Sequence, residues 1–121
     1  FLCLIFVIKI FMKQIFKSVY RDIIDNSSKK GPMSFVFKTK YHVAITFIIF
    51  SETNVCYEKI CKLLPSLSRS TIHAILSEGL KLNYLNKHLD KKDKRIKYYD
   101  CENIKNYLES WCKKQKEIFA A

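Results

Sequence analysis

Apolar and polar positions alternate with two different periods along this chain, and the changes of period mark its elements. Residues 1–25 contain no Gly or Pro, and the pairs Phe11/Met12, Ile15/Phe16, Val19/Tyr20 and Ile23/Ile24 recur every fourth position, which predicts a helix with one apolar stripe. Lys9, Lys13, Lys17 and Arg21 share that period on a neighbouring face. The turn formers of 26–32, Asn-Ser-Ser-Lys-Lys-Gly-Pro, end that helix and form a linker. A second helix is predicted over 38–51, where the apolar run 43–50 is too continuous for a surface strip and implies deep burial, although periodicity alone also permits a strand there. Over 54–64 a shorter helix is predicted, with Asn54 as N-cap and Ile60, Cys61 and Leu64 pointing inward.

Pro65 and Ser66 break that helix, and Ser68 can cap the next one, whose inward face is Ile72, Ile75, Leu76 and Gly79. Asn83 stands where the chain leaves this helix, a place that favours a residue tolerant of the left-handed conformation. The period then falls to two in the β-prone runs 84–89 and 96–101, which flank Asp90-Lys91-Lys92-Asp93-Lys94-Arg95. In the second run Ile96 and Tyr98 share one face, and Lys97 and Tyr99 the other. Asp100 is placed to cap a last helix over 102–119, with Ile104, Leu108, Trp111, Cys112 and Ile118 or Phe119 inward. Two short helices joined by a tight turn, then strand, charged turn and strand, describe a winged helix-turn-helix with a basic wing tip. The expected fold class is therefore mainly α with a small antiparallel β-hairpin. Its divisions are an N-terminal helix and linker over 1–32, a winged helix over 33–101 and a C-terminal helix over 102–121.

Composition adds a partner. With 121 residues and 49% hydrophobic content the chain can bury one modest core, while 22 Lys and Arg against 11 Asp and Glu leave a net charge of +11, enough to attract a polyanion. Much of that excess lies beside the turn: Lys81, Lys87, Lys91, Lys92, Lys94, Arg95 and Lys97 face only Asp90 and Asp93. Five cysteines form an odd set without C-x-x-C, and no His sits at zinc-ligand spacing from them, so a reduced cytoplasmic chain without metal is expected. The longest apolar runs, 1–8 and 43–50, fall well short of the roughly 20 residues that a spanning helix needs. Basic residues follow the first run and do not precede it, so neither export nor a membrane partner is expected. Because the chain opens on Phe1, its natural start is expected upstream, at Met12 or at Met33. Gly31 and Gly79 are the only glycines, which excludes a Gly-rich phosphate loop, and there is no H-E-x-x-H. No catalytic site and no cofactor are expected.

Residues 71–95 resemble the MarR family of winged-helix transcription regulators. The resemblance rests on Ser68-Arg69-Ser70-Thr71-Ile72 at a helix start, Tyr84-Leu85 opening a strand, and the wing turn Asp90-x-x-Asp93-x-Arg95. It implies a homodimer built by the terminal helices, which sets two recognition helices in successive major grooves of double-stranded DNA. By that analogy Arg69, Ser70, Thr71 and His73 fall on the recognition helix, and Arg95 reaches the minor groove while Asp93 orients it. The chain departs from the pattern in four ways. Gly79 stands where a large apolar residue is usual and removes a core contact, at about 1 kcal/mol in helix propensity against Ala. Residues Pro65-Ser66-Leu67 make the turn one residue longer, Asn83 replaces the exit Gly, and one C-terminal helix stands for two.

Each candidate has an ordinary alternative. Arg69 can fork a guanine or a phosphate, or simply face solvent. Ser70 and Thr71 can donate to phosphates, or join Ser68 in satisfying the first helical turn. His73 points outward if Ile72 and Ile75 point inward, and can be a plain surface residue. Lys91, Lys92, Lys94 and Lys97 can meet phosphates, or keep a hairpin soluble. Two other functions fit the same pattern: a winged helix that binds protein, favoured by the near balance of Arg69 and Glu78, and a peripheral membrane protein held by its basic N-terminal helix.

Overall fold

Helix α1 spans Leu2–Ser28, three residues past the expected stop, because the Asn-Ser-Ser segment continues the helix. The computed structural model describes residues 2–28 and 30–120, apart from the side chains of 27, 28, 119 and 120; the linker's Lys29 and the expected helix start at Phe1 lie outside the described residues. The remainder of the expected linker is also partly helical. Gly31, at φ +140°, makes a turn that an L side chain rarely adopts, and Pro32 then opens the short helix α2, Pro32–Val36. This element, absent from the pattern reading, delivers Phe35, Val36 and the following Phe37 into the core.

Helix α3, Lys40–Ser51, starts two residues later than expected because Thr39 caps it: the Thr39 hydroxyl accepts a hydrogen bond from the His42 backbone N–H at 3.2 Å. Its apolar run is helical, and it is only partly buried. Ile45 and Ile49 are sealed, while Phe50 is 39% exposed, since a single helix cannot turn eight consecutive residues to one side.

The predicted cap at Asn54 is overturned. Asn54 takes a left-handed conformation, φ +53°, and feeds strand β1, Val55–Cys56, so helix α4 begins only at Tyr57 and runs Tyr57–Leu63. Helix α5, Arg69–Lys81, begins where expected, with the Ser68 hydroxyl accepting from the Thr71 N–H at 3.2 Å. Its exit is a Schellman turn, closed by Asn83 N–H donating to Leu80 O and Tyr84 N–H to Gly79 O, with Asn83 in the left-handed region at φ +62°. Those bonds shorten the first wing strand to β2, Asn86–Leu89, since Tyr84 and Leu85 belong to the turn.

Strand β3, Lys97–Asp100, is central in a three-stranded antiparallel sheet of order β1-β3-β2. Val55 pairs with Tyr99, and His88 with Tyr98. Asp100 does accept from the Glu102 N–H at 3.1 Å, but the cap position is Cys101, and a 3-10 turn, Glu102–Ile104, precedes helix α6, Lys105–Ala120.

The core gathers Phe35, Val36, Ile45, Ile49, Val55, Ile60, Ile72, Leu76, Leu85, Ile104 and Leu108, each side chain contributing on the order of 1.5–3 kcal/mol by leaving water. Gly79 does not leave a gap in it. A Cβ there would lie 2.5 Å from Leu85 Cδ1 and 3.0 Å from Phe35 Cζ, so the glycine makes room for two large side chains that occupy the place of the missing one.

Along α6 the inward set is Leu108, half-buried Trp111, Gln115 and half-buried Ile118; Cys112 is exposed, contrary to expectation, and Phe119 lies outside the described side chains. Gln115, being polar, stands outside the apolar repeat of this helix. Its amide donates to Asp22 of α1 at 2.8 Å, beside Lys114, which donates to the same carboxylate at 2.6 Å. The face of α1 used here is Phe11, Ile15, Val19 and Asp22; Met12, Phe16, Tyr20, Ile23 and Ile24 remain exposed.

Candidate nucleic-acid interface

Two basic features project from this scaffold: the start of α5 and the tip of the β2–β3 hairpin. The first is organised by Ser68. Its hydroxyl lies 2.8 Å from that of Thr71 and 3.2 Å from that of Ser70, so both predicted phosphate donors sit within the capping cluster. Ser70 is exposed and Thr71 half-buried. His73, Ala74, Ser77 and Lys81 continue the exposed face of the helix, with His73 Nε2 3.5 Å from Ser77 Oγ. Ile72, Ile75, Leu76 and Gly79 anchor the opposite face.

Arg69, the first residue of α5, is exposed but not unpartnered. Its two terminal nitrogens donate to the two carboxylate oxygens of Glu58, at 2.8 and 3.1 Å. Beneath it lies the ring of Tyr57, 5.7 Å from the guanidinium carbon, and the Tyr57 hydroxyl donates to the Arg69 carbonyl at 3.1 Å. The hydrogen bond from Arg69 holds the Glu58 carboxyl below its ordinary pKa, and the carboxylate in turn raises that of the guanidinium. The partnership of Arg69 with Glu58 and Tyr57 is not legible in the sequence, because both stand on the preceding helix, eleven and twelve residues away.

At the hairpin tip the geometry is local. The Asp90 side chain accepts from the Asp93 N–H at 3.2 Å, and the tip closes through Asp90 N–H to Ile96 O and Ile96 N–H to Asp93 O. Asp93 then accepts three bonds from Arg95: the backbone N–H and Nε on Oδ1, both at 3.1 Å, and Nη2 on Oδ2 at 3.2 Å. The Arg95 side chain, then its backbone N–H, hold the Asp93 carboxyl below its usual range. Arg95 is nonetheless 92% exposed, with its remaining donors facing outward. Lys91, Lys92, Lys94 and Lys97 are exposed as well, and none has an ion-pair partner among the described residues.

The root of the wing is tied down. Asn103 donates to Asn83 O at 2.8 Å and to Asn86 Oδ1 at 3.2 Å, and His88 Nδ1 lies 3.1 Å from Asp100 Oδ2. The far end of α5 is fixed by Glu78, whose charge balances that of Arg69 along the helix. It accepts from Lys38 at 2.7 Å and lies 3.0 Å from Nε2 of buried His42, whose Nδ1 is 2.7 Å from the Thr39 hydroxyl. Burial pushes the Glu78 carboxyl upward, yet the bonds from Lys38 and His42 outweigh it and leave the pKa lowered. Among the described residues no His, Cys, Asp or Glu cluster could hold a metal ion.

By sequence, no family model matches the chain, and neither does any curated protein. By structure, MarR aligns with 93% of this chain and 80% of its own, at 14% identity and a TM-score of 0.54. A MepR variant from S. aureus aligns with 89% of this chain and 75% of its own, at 14% identity and a TM-score of 0.48. The chain therefore has a MarR-like winged-helix fold: mainly α, with a small antiparallel sheet and a helix at either end.

Proposed function

We propose that this chain binds double-stranded DNA as a homodimer in the cytoplasm and regulates transcription, as a repressor that occludes a promoter, without enzymatic activity. The observation that carries the reading is the wing tip, where Asp93 fixes an almost fully exposed Arg95 among three exposed lysines, beside a capped helix with one exposed face. A fixed guanidinium on a narrow projection suits a minor groove, and lysines around it suit the flanking phosphates. On α5 the surface from Arg69 through Ser70 and Thr71 to His73 is assigned to the major groove, with Ser70 and Thr71 also capping the helix. Residues 33–101 form the binding unit in this reading, and the flanks 1–32 and 102–121 pair the two copies.

The dimer is supported by the exposed apolar side of α1, where Phe16 is 65% exposed and Tyr20 50%. Among the described residues no helix is long and apolar enough to cross a membrane.

A gel shift against random and selected duplexes over a range of salt tests the proposal. Retardation should weaken with a slope of about 0.9 in log affinity against log salt for each phosphate neutralised. Binding that ignores salt, or no binding to any duplex, overturns it and leaves the protein-interaction module as the reading to pursue.

A further inference from the structure

We infer that Glu58 is a specificity-determining residue that keeps Arg69 from acting as a general phosphate binder; the inference rests on the DNA-binding reading and deepens it. A lone exposed arginine at a helix start is a mobile cation, attracted to any phosphate it meets. Arg69 is held otherwise. Glu58 takes one N–H from each terminal nitrogen, Tyr57 lies under the guanidinium plane, and the Tyr57 hydroxyl fastens the backbone at the same residue. The clamp does two things at once. It cancels the charge of Arg69 locally, which removes the sequence-independent attraction, and it fixes the plane of the donors left over. A guanidinium carries five N–H groups, so three stay available along its edges, in a direction set by the protein. Such a group binds well only where two acceptors lie at matching positions, as on a guanine edge in the major groove. Both side chains are about three-fifths exposed, so the pair is reachable from a groove and does not belong to the core.

The contrast with Arg95 supports this assignment. Asp93 is bonded to the backbone N–H of the arginine it holds, and is part of the turn itself. Glu58 has no such second duty among its described hydrogen bonds: those are the two to Arg69. Its geometry serves the guanidinium.

The test is a double-mutant cycle on the full chain, with Glu58→Gln, Arg69→Ala and the pair, each checked for unchanged thermal unfolding. Affinity is measured on a duplex selected from a random pool and on random duplex. Glu58→Gln should raise affinity for random duplex and lower the selected-to-random ratio about tenfold, the scale of one bidentate base contact. In the Arg69→Ala background the same change should leave the ratio unmoved, and Glu58→Asp should restore part of it in the presence of Arg69. An equal gain on random DNA with and without Arg69 would reduce Glu58 to plain charge repulsion and overturn the inference. A wild-type chain that binds DNA with a ratio indifferent to Glu58 overturns the inference alone, whereas a wild-type chain that binds no duplex fails the DNA-binding reading itself.

Discussion

Two arginines stand at the proposed interface, each forked by a carboxylate, yet the wing tip and the start of α5 reach that arrangement by different routes. Arg95 and Asp93 are two residues apart, and the turn that joins them is closed by its own backbone, so the pair would form in any hairpin of that sequence. Arg69 and Glu58 are eleven apart and meet only because α4 packs against α5. The wing carries its cation as a local motif, and the helix carries its own as a consequence of tertiary packing. What disturbs the core should therefore disarm the helix before the wing.

The largest effect expected from that difference is on stability. Ile72 is fully buried on the inner face of α5, and Ile72→Ala should cost about 2–5 kcal/mol in urea unfolding. Ile96, 37% exposed at the wing, should lose under about 1 kcal/mol on the same change. Similar losses would mean that the wing is as integral to the core as the helix.

On binding, Arg69→Ala should weaken a selected duplex between about fivefold and a hundredfold while barely altering affinity for random DNA. An equal loss on both would remove base reading from α5. Replacing Lys91, Lys92 and Lys94 together with Ala should do the reverse: every duplex weakens alike, and the salt slope falls by up to about 2.7. A loss confined to one site would contradict a phosphate role for the wing.

The smallest effect concerns the far end of α5. The folded-state pKa of Glu78 is lowered, so the unfolded chain binds the extra proton first and the contribution of Glu78 is present above the ordinary carboxylate range. It is lost as pH falls through the lowered value. Glu78→Gln should therefore destabilise by under about 1 kcal/mol at neutral pH, since the carboxylate is partly exposed, and the gap to wild type should close on acidification. A gap that widens in acid would show the sign to be wrong.

What the sequence determined by itself are the features whose causes lie within a few residues. The periods of α1, α5 and α6, the Ser68 cap, the left-handed Asn83 and the Asp93–Arg95 turn all follow from neighbours in the chain. The folded structure alone decided whatever depends on a distant partner. Gly79 reads as a lost contact until Leu85 and Phe35 are seen to fill its place, and Asn54 reads as a cap until β1 pairs with β3. Polar residues mislead most: Asp22, His42 and Gln115 interrupt or lie outside the apolar pattern, yet each is buried, the first and last against each other and His42 against Glu78. The physical reason is common to all of these. Periodicity reports which side of an element avoids water, whereas a buried hydrogen bond or a shared volume exists only between two elements, and no single stretch of chain contains both.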